Sequence, residues 1–147
     1  TIVLSSNAQH TDSIQNFING SAFNIQLLLD CKDMANVMLD SDIAIGGAGS
    51  ASWERCVLAL PTVLCTYADN QMQITGHLLE SNICLPGMTS DKASLHELKK
   101  SLISLLSDKA QYNEMAHRTQ SICDGHGVQR IWQNMEHVFS KSKGEKK

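Results

Sequence analysis

The sequence has no excess of positive charge. Its 12 lysines and arginines are outnumbered by 15 aspartates and glutamates, for a net charge of −3. A surface built to neutralise nucleic-acid phosphates is therefore disfavoured. It has no long apolar run either. A stretch such as Val57–Leu60 falls far short of the roughly 20 residues that a membrane span needs, and no charged-then-apolar signal segment opens the chain. The first residue is Thr1 and not an initiator methionine, so a fragment, a processed chain or a trimmed one is expected. Five cysteines (Cys31, Cys56, Cys65, Cys84 and Cys123) include no CxxC pair, and six histidines include no HxxxH pair. No metal site is expected from such spacings, and the cysteines read as reduced thiols in a cytoplasmic protein. Aromatic residues make up 5% of the chain. Among the tryptophans and tyrosines, Tyr67 alone falls in a loop suited to stacking on a flavin.

The 147 residues, 42% of them hydrophobic, suffice for one domain with a real core. Short apolar runs alternate with helical patterns. Ile2–Leu4, Ile25–Leu29, Ile43–Ile45, Thr62–Cys65 and Ile83–Leu85 read as strands. Helices are expected over about 33–39, 51–60 and 70–81, with a polar stretch over 8–19. This alternation predicts βα units and a parallel sheet of about five strands, buried on both faces and flanked by helices. After Gly87 the pattern is helical throughout. Leu95, Leu98, Leu102, Leu105 and Leu106 form one stripe. Tyr112, Met115, Ala116, Thr119 and Ile122 form a second. After a break at Asp124-Gly125-His126-Gly127 comes a third, from Val128 through Ile131, Trp132, Met135 and Val138 to Phe139. The domain is expected over 1–139. Residues 140–147 read as a disordered basic tail, with a phosphate or partner contact as the alternative.

The informative segment is Asp42-Ile-Ala-Ile-Gly46-Gly47-Ala48-Gly49-Ser50-Ala-Ser52-Trp53-Glu54-Arg55, a strand, a glycine-rich turn and a helix start. Glycines permit positive φ and let a ligand approach the backbone closely. The start of a helix offers unpaired N–H groups to an anion. Ser50 and Ser52 suit either a helix cap or a phosphate contact. No Gly-Lys-Ser/Thr follows, so this is not a Walker A loop, and the glycine spacing is not GxGxxG. The residues fit an anion site or a tight turn without a ligand. Trp53, Cys56, Val57 and Leu60 share a face expected to be buried. Glu54 lies on another, where it either complements the helix dipole or accepts hydrogen bonds from a ribose diol.

A second cluster, Ala68-Asp69-Asn70-Gln71, follows the strand Thr62–Cys65. Ligands of open α/β sheets collect at strand carboxyl ends, so both clusters are expected to face one crevice. Asp69 and Asn70 equally suit a cap of the next helix. Asp30-Cys31-Lys32-Asp33 is a third strand-end loop.

The run Ile45-Gly-Gly-Ala-Gly-Ser50, then Trp53-Glu54-Arg55-Cys56, Leu60-Pro61 and Asp69-Asn70-Gln71, resembles the C-terminal, nucleotide-binding half of GT-B sugar-nucleotide enzymes. It is most similar to the UDP-sugar hydrolases of pseudaminic acid biosynthesis and their spore-coat polysaccharide relatives. It is more distantly similar to the transferase that adds N-acetylglucosamine to lipid I. The likeness extends over about 2–139 and includes Asp124-Gly125-x-Gly127-x-x-Arg130. It implies that Gly46, Gly47, Gly49 and Ser50 lie against the diphosphate of UDP or a UDP-sugar. It implies that Glu54 holds the ribose, that Asn70 and Gln71 reach the sugar or the phosphates, and that the backbone near Cys31 faces uracil. No cofactor or metal is implied. The hydrolases often read Gly-Ala-Gly-Gly-Ser at the turn, so Ala48 is expected to crowd the ligand if its position needs positive φ.

The resemblance also implies what the chain lacks. The family's catalytic histidine sits in an N-terminal domain, and none of the six histidines here matches it. No catalytic residue is therefore expected in this chain, and that domain or a second copy is the expected partner. The family's domain begins with a further strand and helix, and its strand order is 3-2-1-4-5-6. Without that strand, the sheet is expected to close in the order 2-1-3-4-5 or to borrow a strand from a partner. Two other readings are a catalytically inactive interaction module and a flavodoxin-like protein.

Overall fold

The computed structural model describes residues 1–89 and 94–144. It is an α/β structure whose contacts divide the chain into two compact units, Thr1–Val37 and Met38–Lys147.

The first unit contains β1 (Ile2–Leu4), α1 (Thr11–Asn19) and β2 (Leu27–Leu29), with β1 and β2 paired in parallel through Val3↔Leu28. None of its residues is buried, and Phe17 and Phe23 are 65% and 80% exposed. So short a segment has too little chain to enclose a core of its own. Its two strand-end loops are tied together: the Ser6 amide donates to the Asp30 carboxylate at 2.9 Å. The Ser6 hydroxyl first, and then this amide, hold the Asp30 carboxyl below its usual range. The helix α2 (Met34–Leu39) runs across the boundary between the units.

The second unit carries the core. Its sheet is β3 (Ala44–Gly47), β4 (Thr62–Cys65) and β5 (Leu85–Pro86), all parallel in the order β3-β4-β5. The central strand is buried throughout, as its unbroken apolar sequence predicts. Val63 and Leu64, consecutive and so pointing to opposite faces, anchor two clusters. Val63 packs with Leu105 and Met115, and Leu64 packs with Ala48, Cys56, Leu78, Ile83 and Cys84. The flanking helices are α3 (Ala51–Val57), α4 (Met72–Glu80), α5 (Ser94–Ser107) and α6 (Lys109–Ile122). Asp108 caps α6 by accepting from the Ala110 and Gln111 amides at 2.9 and 3.0 Å. The Tyr112 hydroxyl donates to the Asp42 carbonyl at 3.0 Å, which fixes α6 against the entry to β3.

The expected single sheet of about five strands does not form. Five strands are present, in one sheet of two and one of three. Within the described residues the pairings are β1-β2 in one unit and β3-β4-β5 in the other. β3 is an edge strand, and Ile45 on it is 53% exposed.

The last helix, α7 (Gly127–Gly144), extends past Phe139; residues 145–147 of the basic tail lie outside the described residues. Its apolar stripe is regular and largely exposed, with Val128, Ile131 and Trp132 each at least 60% exposed. The break before it is built by Gly125, at φ +76°, and by Asp124, which pairs with Arg130 and accepts from the His126 amide at 3.1 Å. These partners, the Arg130 hydrogen bond first, hold the Asp124 carboxyl down at about 2 against an ordinary 3.8. Its folded pKa is depressed, so the pairing supports the helix start fully above pH 3.8 and is lost as pH falls through about 2. A carbon-detected NMR titration is expected to place the Asp124 midpoint near 2, and Arg130→Met is expected to return it toward 3.8. An unchanged midpoint in that variant would show that Arg130 does not set it.

Candidate functional site

The register of the second sheet aligns Gly47 with Cys65, so the carboxyl ends of β3 and β4 stand side by side. The glycine turn leaves one of them and the Asp69–Gln71 segment follows the other. The side-chain amide of Gln71 comes within 4 Å of the position a Cβ would take on Gly47, and its oxygen accepts from the Tyr67 amide at 3.3 Å. The structure thus brings the two clusters to one edge, as the strand-end argument expects.

Gly46 and Gly47 are the last residues of β3, and the turn proper is Ala48-Gly49-Ser50. No glycine of this run has positive φ. Their smallness, and not their backbone freedom, is what the geometry uses. A Cβ on Gly46 would stand 2.6 Å from Nη1 of Arg55, whereas one on Gly49 would meet nothing within 4 Å. Ala48 also has an ordinary negative φ, and its methyl is buried in the core with Cys56 and Leu64. It therefore does not crowd the turn's outer surface.

The amides of Ala48, Gly49 and Ser50 donate no hydrogen bond among the described residues. The exposed Ser50 makes no capping bond, and its backbone is already helical at φ −55° and ψ −36°. Ser52 is no cap either: it is buried, and its hydroxyl accepts from Arg55 at 3.1 Å. Ser50 is therefore the serine whose hydroxyl is free beside the turn.

The buried face of α3 differs from the expected one. Cys56 and Leu60 are buried as expected, but Trp53 and Val57 are 41% and 37% exposed, and Ser52 and Arg55 point inward in their place. The cause is Arg55, whose Nη2 donates to the Gly47 carbonyl at 2.8 Å as well as to Ser52 and so turns the helix on its axis. Arg55 is the residue that sequence patterning misses. A charged side chain after Glu54 reads as solvent-facing, and the space that admits it is the missing Cβ of Gly46, nine residues earlier.

Glu54 is exposed and forms no ion pair among the described residues. Asn70 is exposed in the single 3-10 turn Asp69–Gln71. Neither Asp69 nor Asn70 caps a helix, since no side-chain cap bond forms at this turn or at α4. Cys31 belongs to the first unit, half-buried with a free thiol. All five cysteines are unpaired. Among the described residues there is no metal-binding cluster and no helix long and apolar enough to cross a membrane.

The family model of the glycosyltransferase family 28 C-terminal domain matches residues 2–134. The chain belongs to this family. Its α/β architecture is that of the C-terminal half of the family's GT-B fold, though its sheet is divided. No curated protein matches the chain.

Proposed function

We propose that this domain binds the UDP moiety of a UDP-sugar, with the diphosphate on Gly46–Ser50 and the ribose on Glu54. Asn70 and Gln71 reach the sugar or the phosphates. The observation that carries this reading is the outer surface of the turn. It offers three unbonded amides and the Ser50 hydroxyl, an open approach at Gly49, and the Gln71 amide converging from the neighbouring strand end. Donors held in place without internal partners are what an oxyanion needs. The uracil contact that the resemblance implies near Cys31 would be made by the first unit.

The reaction we infer is hydrolytic release of UDP from a deoxy-diacetamido sugar nucleotide, in polysaccharide or nonulosonic acid biosynthesis. Water adds to the anomeric carbon, and the β-phosphate oxygen leaves with the bonding electrons. This chain's residues orient the nucleotide and stabilise the charge on the departing diphosphate. The group that activates water comes from a partner domain, or from a second copy, in a cytoplasmic assembly. The family's glycosyltransferase membership favours a second reading, in which the same site holds a UDP-sugar donor for transfer. Calorimetric titration with UDP, CDP and GDP tests the shared core of both. Selective UDP binding is expected, and no heat with millimolar UDP would overturn it.

A further inference from the structure

Arg55 is 6% exposed, yet no carboxylate among the described residues pairs with it. Its Nε has no hydrogen-bond partner at all. The groups around it include the thiols of Cys56 and Cys84, and burial raises the pKa of both, Cys84 to about 12, so neither supplies a negative charge near neutral pH. Burial also lowers the Arg55 pKa, and the field of the nearby Glu54 carboxylate, which makes no ion pair with it, opposes this without reversing it. A buried charge without a counter-ion is costly, and proteins retain one where something outside the fold completes it.

The location of this charge is specific. Nη2 holds the Gly47 carbonyl, and Nη1 fills the space under Gly46. The guanidinium therefore lies against the last two residues of β3, immediately before the turn whose amides are unbonded among the described residues.

We propose that Arg55 is the buried counter-charge and positioning residue of the anion site: it fixes the strand-to-helix turn through the end of β3, and its charge is completed by a diphosphate bound at the turn. This rests on the nucleotide reading, deepening it with a residue that acts through the backbone and the field rather than by touching the ligand.

The test titrates the full chain, wild type, Arg55→Met and Arg55→Lys, with pyrophosphate, UDP and uridine, and melts each variant without ligand. Arg55→Met, which removes an uncompensated charge at similar volume, is expected to melt within a few degrees of wild type. It is expected to lose about tenfold or more in affinity for pyrophosphate and UDP, and to bind uridine unchanged. Arg55→Lys, which keeps the charge, is expected to recover most of the pyrophosphate affinity. Collapse of Arg55→Met without ligand would overturn the proposal, since the apo core would then depend on the cation. So would an equal loss for uridine and UDP, an unchanged pyrophosphate affinity, or a wild type that binds no pyrophosphate. An Arg55-dependent pyrophosphate site with no preference for UDP over CDP or GDP would overturn the uridine reading and leave this proposal standing.

Discussion

Glu54→Ala is expected to weaken UDP binding by about 10- to 100-fold while leaving pyrophosphate within about twofold. A hydrogen bond to a charged acceptor contributes roughly 1.5–3 kcal/mol, and a net loss of that size on removing the carboxylate from a ribose diol converts to about 10- to 100-fold. The expectation depends on Glu54 being exposed and unpaired, so that its removal leaves no buried partner unsatisfied and no ion pair broken. Removing an acid near a helix start costs a few tenths of a kcal/mol through the dipole, far less than the expected binding loss. Isothermal titration with both ligands separates the two effects. Equal losses for UDP and pyrophosphate would make Glu54 a helix-stabilising acid.

Gly87→Ala is expected to destabilise the fold by about 1–3 kcal/mol, lowering the melting midpoint by about 3–10 °C. Gly87 follows β5, and its amide donates to the Leu64 carbonyl at 2.8 Å. A Cβ there would lie 2.8 Å from that same oxygen, 3.1 Å from the Leu64 carbonyl carbon and 2.9 Å from the Cys65 sulfur. Two of these atoms are the backbone of the buried central strand, so no flexible side chain can yield. Gly76→Ala is the matched control. It sits within α4, a Cβ there meets nothing within 4 Å, and replacing a helical glycine is expected to raise stability by up to about 1 kcal/mol. A Gly87→Ala variant as stable as wild type would show that β5 can shift away from β4.

Local features of the fold were legible. β1 and β4 coincide with their apolar runs, and α6 and α7 are separated at Asp124-Gly125-His126 within the expected break. A continuous apolar run specifies a strand, but of these two only β4 is buried. Which strands then share a sheet is a long-range matter, and the division between β2 and β3 leaves no local mark in the sequence. The face of α3 failed for a related reason. Trp53 and Val57 are the more hydrophobic choice for burial, but the bonds from Arg55 to Gly47 and Ser52 set the helix rotation instead. The glycine run permits both positive φ and close approach to the backbone; no glycine of it has positive φ, and Gly46 admits a guanidinium that no spacing in the sequence announces. The α7 stripe was read correctly as one helical face, but periodicity does not specify what covers it, and it stays exposed.

The central claim is that the surface formed by Ala48–Ser50 and Gln71 is where the nucleotide binds. Its most direct test follows the backbone amide resonances of the labelled chain while UDP is added. The largest shifts are predicted at Ala48, Gly49 and Ser50, whose amides are unbonded in the free protein, with smaller ones at Glu54, Asn70 and Gln71. Shifts absent from the glycine turn, or gathered on the surface of α5, α6 or α7 while UDP binds, would contradict the account.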